Sequence, residues 1–174
     1  MNGLAGNSGM VTILGFPVHA YPILVAAGIL CGGLVAALLA RGTGQEPAHV
    51  WRALVPVCLW SIAGGRLWFV LFPPLSYLNN SITAPWMLSH FFDLNVGAVA
   101  LWAGGLGLFG ALPFGTFALV RYASHHRLPV ALWLDIAAVA LPLAQAIARI
   151  GNGINLDLYG APTTLQWGML VSDP

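Results

Sequence analysis

The chain has 174 residues, 59% apolar and 6% charged, with a net charge of +1. A soluble domain carries roughly a quarter charged residues, so six Arg and five acidic groups cannot keep a water-facing globule of this size in solution. The same composition excludes a disordered chain. With no Lys, it also excludes a basic nucleic-acid-binding surface.

Residues 1–20 hold no basic cluster, so no secretory signal is read there and the first apolar run is expected to be retained. Four runs match the ~20 apolar residues that a helix needs to cross a bilayer core. They are 21–40, 54–72, 96–120 and 131–150. The first and third carry no charge, the second holds Arg66, and the fourth holds Asp135 and Arg149. The expected fold is an all-α integral membrane protein, a bundle of about four transmembrane helices with a polar loop after the fourth. The reading takes 1–174 as a single membrane domain, the N-terminal part of a larger polytopic one.

Orientation follows from Arg. Arg41 and Arg52 flank one connection, and Arg121 and Arg127 flank another beside His125 and His126. The positive-inside rule places both in the cytoplasm, with the N-terminus, 73–95 and 151–174 at the outer face. In the outer connection, 84–94 (APWMLSHFFDL) reads equally well as a segment lying on the leaflet or as a plain connector.

Small residues recur at helical spacing: Gly28 and Gly32; Ala103, Gly107, Ala111 and Gly115; Ala140, Ala144 and Ala148. Each series predicts a face on which helix backbones approach closely. Cys31 and Cys58 fall inside apolar runs and read as small hydrophobes. His125 and His126 read as solvated loop residues, and nothing calls for a metal or a cofactor.

Arg66 and Arg149 remain inside spans. An Arg there either snorkels to the headgroups or binds something anionic, for which its planar fork suits a phosphate. Arg149 opens the segment RIGNGINLDLYG. Gly151 and Gly153 free the backbone to turn N–H groups outward, Asn152 and Asn155 add amides, and Asp157 adds a carboxylate. Such a set can hold a phosphoglycerol, or it can be a polar loop that ends a helix.

The order of these residues resembles the signature R-x-G-N-x-x-N-x-[E/D]-x-x-G of the prolipoprotein diacylglyceryl transferase family. Arg149, Gly151, Asn152, Asn155 and Gly160 match, and Asp157 replaces Glu. GGRLWFVLF around Gly65 and Arg66, LWAGGLGLFGAL at 101–112, and His19-Ala-Tyr21 are similar to further family motifs in the same order. Asp135, Pro142, Pro162-Thr163 and Trp167-Gly168 fit as well. Phe109 departs from the pattern, standing where many members carry His or Tyr. The chain also ends before the family's later His-Pro…Leu-Tyr-Glu region.

The resemblance implies transfer of a diacylglyceryl group from phosphatidylglycerol to the thiol of a lipobox Cys in a prolipoprotein signal peptide, in the bacterial inner membrane and without a cofactor. It implies Arg149, Asn152, Asn155 and Asp157 as catalytic residues. Arg149, Arg66, Gly151, Gly160, Tyr21 and His19 would bind the phosphatidylglycerol. The alternative is a phospholipid-binding or transport protein of the same fold without catalysis.

Overall fold

The computed structural model describes residues 10–13, 16–74, 81–93, 97, 99, 105–155, 164 and 168, with backbone alone at 10–21 and 155. A short antiparallel hairpin, β1 (Met10–Ile13) and β2 (Phe16–His19), pairs Met10 with His19 and Ile13 with Phe16. Five helices follow: α1 (Ala20–Gly42), α2 (Ala48–Leu71), α3 (Ala84–Ser89), α4 (Leu108–His125) and α5 (Val130–Asn155). The protein is therefore an all-α membrane fold preceded by one small hairpin. Three helical stretches are long and apolar enough to cross a bilayer: Pro22–Gly42, Ala48–Leu71 and Val130–Ile154. They coincide with the first, second and fourth predicted spans.

The third predicted span is corrected. The helix expected over 96–120 starts at Leu108 and runs on to His125, while Gly97, Val99 and 105–107 are not helical. Gly105 sits at φ +85°, a left-handed conformation that no continuing α-helix allows. Non-helical backbone is tolerated among apolar spans where protein satisfies its polar groups, and here Arg66 does so, as described below.

The chain divides into two compact units, Met1–Leu39 with Ala137–Pro174, and Ala40–Ile136. In the first, α1 and α5 run antiparallel through small residues. A Cβ on Gly28 would stand 2.7 Å from the Ala144 carbonyl oxygen, and one on Gly32 would stand 3.2 Å from that of Ala140. The faces predicted from Gly28, Gly32, Ala140 and Ala144 thus meet.

In the second unit α2 and α4 cross antiparallel at Gly64 and Gly110. A Cβ on Gly110 would run into the Gly64 carbonyl, and one on Gly64 would stand 2.6 Å from the Gly110 carbonyl oxygen. The predicted face on this helix shifts accordingly. Gly107 is the N-cap of α4 rather than an interior residue, and its N–H donates to the Gly65 carbonyl at 2.9 Å. Ala103 lies outside the described residues. Farther along, Gly115 faces Ser61 and Val57.

Candidate functional site

Arg66 follows two glycines on α2 that bring α4 close, and its side chain is 7% exposed. Along the helix it lies about 27 Å from Ala48, at ~1.5 Å per residue. Its two terminal nitrogens donate to carbonyls of the non-helical segment, to Gly97 at 2.7 Å and to Gly105 at 3.1 Å. The guanidinium also stands over the Phe69 ring, 5.2 Å from its centre. Arg66 is therefore no snorkelling helix end. It is a buried cation that ties backbone 31 and 39 residues away to α2. An open groove of about 400 Å³ runs beside it, walled by Leu59, Ile62 and Leu67 of α2 and by Leu88, Phe91 and Val99.

The signature segment differs from expectation in conformation. The polar loop predicted after residue 150 is helical as far as Asn155. Inside a helix the N–H groups of Gly151 and Gly153 serve the carbonyls four residues back, so they are not turned toward a ligand. The reading of a backbone anion cradle there is corrected. The helix instead puts Arg149 and Asn152 three residues apart on neighbouring positions of one face. Arg149 is exposed and Asn152 half-buried, while Gly151 is buried beside them. Arg149 stands about 28 Å along α5 from Val130, near the far boundary of a ~30 Å core.

Asn155 continues the same spacing as the last helical residue, and its side chain lies outside what is described. Asp157 and Gly160 lie outside the described residues altogether. His19 closes β2 and Tyr21 stands in the first turn of α1, each described by its backbone. Phe109 is 72% exposed on α4, its ring 5.8 Å from that of Trp68.

One group of residues was missed from sequence. The two Arg-bearing connections meet at one end of the second unit, where His49 Nδ1 lies 3.0 Å from the Tyr122 hydroxyl. The His49 ring is 5.4 Å from His126 and 6.2 Å from buried Trp133, and Glu46 approaches His49 Nε2 at 3.9 Å. No spacing links His49 to Tyr122, 73 residues on. The one sequence signal is that Arg places both connections on the same side. The His126 imidazole titrates below its ordinary 6.5, through desolvation against its neighbours and then through the charges of His125, His49 and Arg52. Among the described residues no group of three or more His, Cys, Asp or Glu is placed to hold a metal ion. Cys31 and Cys58 are both free, half-buried thiols.

Known proteins match the sequence over nearly all of the chain. The profile of the family described as prolipoprotein diacylglyceryl transferase matches residues 8–174. The phosphatidylglycerol–prolipoprotein diacylglyceryl transferase of Chloroflexus aggregans is 34% identical, covering 93% of this chain and 50% of its own length. That of Frankia alni is 33% identical, covering 97% of this chain and 41% of its own. That of Bifidobacterium longum is 30% identical, covering 91% and 47%. The chain thus spans about half the length of the curated relatives it matches, or somewhat less. With the family profile matched from residue 8 to the last residue, the chain belongs to the prolipoprotein diacylglyceryl transferase family.

Proposed function

We propose that this chain is part of an inner-membrane enzyme that moves the diacylglyceryl group of phosphatidylglycerol onto the lipobox cysteine of a prolipoprotein. The observation that carries the reading is the placing of exposed Arg149 and half-buried Asn152 on one face of α5, in a chain of this family. The reaction is an alkyl transfer. A thiolate attacks the glyceryl carbon, the C–S bond forms, the C–O bond to phosphate breaks, and glycerol phosphate leaves with the electron pair. Charge develops on the leaving group, so a fixed cationic donor belongs there.

Arg149 supplies that donor, with its planar fork toward phosphate oxygens. Asn152 and Asn155 orient the headgroup by their amides, while Tyr21, Gly151 and Gly160 complete the lipid site. The thiol proton passes to a base, for which His19 and Asp157 are the candidates. Arg66 contributes by holding the Gly97 and Gly105 carbonyls.

The test compares binding of phosphatidylglycerol and phosphatidylethanolamine by the protein containing this chain. Arg149→Lys keeps the charge and loses the fork. A charge-assisted hydrogen bond is worth roughly 1.5–3 kcal/mol, so affinity falls on the order of tenfold or more. Arg149→Gln falls further, and Arg121→Lys changes little. Equal affinity for both lipids, or Arg149→Lys binding like Arg121→Lys, refutes the site. Selective binding without transfer of labelled diacylglyceryl to a lipobox peptide establishes the lipid-binding alternative instead.

A further inference from the structure

α3 and the turn after it make a small element whose two sides differ sharply. On one side Met87 is fully buried against Phe69 and Val70 of α2, with Ile82 and Trp86 packed around them. This plug fixes the segment to the end of α2. On the other side Leu88, Phe91 and Phe92 are 52%, 45% and 82% exposed. No charged residue occurs from 81 to 92; Asp93 is the first.

Three further observations say what covers that apolar side. Leu88 and Phe91 face the same groove as Leu59, Ile62 and Leu67. Those α2 residues form the exposed side of an apolar spanning helix, the surface such a helix gives to lipid. The exposed side of α3 therefore continues a lipid-facing surface. Depth agrees: Leu71 lies about 35 Å along α2 from Ala48, past a ~30 Å hydrocarbon core and within the headgroup zone.

Several polar groups of the segment also bond within it. The Ser89 hydroxyl donates to the Trp86 carbonyl at 2.8 Å. His90 Nδ1 lies 3.0 Å from that carbonyl oxygen and 3.0 Å from Ser89 Oγ, and its ring stacks on Trp86. Thr83 caps the helix, accepting from the Trp86 N–H at 3.4 Å. A segment that leaves water needs its polar groups satisfied internally, and an apolar face with an aromatic rim is what partitions to the boundary between headgroups and acyl chains.

We infer that α3 and the turn carrying Phe91 and Phe92 form an interfacial anchor, seated in the headgroup–acyl boundary of the bilayer at the end of α2 opposite the Arg-bearing turns. Its partner is the lipid surface itself. The anchor sets the depth of the backbone that Arg66 holds, and it does not depend on which lipid the α5 site takes.

The experiment uses the full chain with Cys31→Ser and Cys58→Ser, reconstituted in phosphatidylcholine vesicles. An environment-sensitive fluorophore is attached at Phe92→Cys, at Leu88→Cys, or at Thr43→Cys in the exposed turn between α1 and α2. Lipids carry a nitroxide either near the headgroup or near the chain terminus. The labels at 88 and 92 are expected to shift to the blue relative to 43, to lose access to aqueous iodide, and to be quenched most by the shallow nitroxide. Emission and iodide access at both positions equal to those at 43 overturn the inference. Blue shift without nitroxide quenching overturns it too, as does quenching protection that disappears when the protein is diluted in lipid. Those results mean that protein, a second copy in the last case, covers the face. A phosphatidylglycerol-binding defect elsewhere leaves these readouts unmoved, so failure here is distinct from failure of the α5 site.

Discussion

Replacing Gly110 by Ala places one methyl group where α2 and α4 are closest. The new carbon meets the Gly64 carbonyl, and it lies 2.5 Å from Trp68 Cβ and 2.8 Å from the Gly64 carbonyl carbon. Two of these obstacles are backbone, so no rotamer change relieves them. Carbon atoms rest about 3.5 Å apart or more, so α4 must move off by about 1 Å, a gap that forfeits a quarter to a half of each dispersion contact it opens. Overpacking of this kind costs about 1–3 kcal/mol, and the better helix propensity of Ala offsets about 1 kcal/mol of it. Three contacts under 3 Å put the cost in the upper half of that range, so the net loss is about 1–2 kcal/mol, a fall in Tm of several degrees for a chain of this size.

Two sister substitutions calibrate the effect. Gly65→Ala meets its nearest neighbour, the Gly107 carbonyl oxygen, at 3.3 Å, so crowding and propensity nearly cancel. Gly153→Ala meets nothing within 4 Å on α5 and is stabilising. Thermal unfolding in detergent micelles, followed by circular dichroism, ranks the three. Gly110→Ala melting at or above the parent, or above Gly65→Ala, would refute the reasoning.

Arg66→Leu strips the Gly97 and Gly105 carbonyls of their donor; with roughly 1–3 kcal/mol for each buried group left unsatisfied, amide exchange around 97–107 accelerates and the variant loses stability, whereas unchanged exchange rules out the tether. For His126 the folded state lowers the pKa below 6.5, so the unfolded chain binds the proton first. Stability is full above 6.5 and falls as pH drops toward the folded value; His126→Gln removes that dependence, and an NMR titration midpoint at or above 6.5 contradicts it. With Cys31 and Cys58 replaced, an impermeant thiol reagent added outside cells labels a Cys placed at 80 and spares one at 125; the reverse pattern inverts the topology.

Much of this architecture was legible in the sequence, because a membrane span is written in composition. Runs 21–40, 54–72 and 131–150 lie within or nearly within helices, and the Gly28–Gly32 and Ala140–Ala144 faces do meet. The non-helical course of Gly97, Val99 and 105–107 was not legible. Apolar composition marks chain that avoids water without saying whether its carbonyls are satisfied four residues away or by Arg66, 31 and 39 residues away. The end of α5 misled for the opposite reason. Gly151, Asn152 and Gly153 signal a helix exit locally, yet each Gly costs only about 1 kcal/mol against Ala, which neighbouring turns override. The conformation around Arg149 and Asn152 could therefore not be read from the order of the residues. The His49, Tyr122 and His126 meeting needed the antiparallel crossing of α2 and α4, which no residue spacing encodes.

That α5 stays helical through Asn155 also fixes a direction of approach. The carbonyl end of a helix carries about half a negative charge, so a phosphate placed on the axis of α5 would face repulsion. Arg149 sits more than a turn before that end and projects sideways with Asn152 on the same flank. An anion that uses both must come alongside the helix, through the layer where lipids already lie, and not down onto its tip from the water.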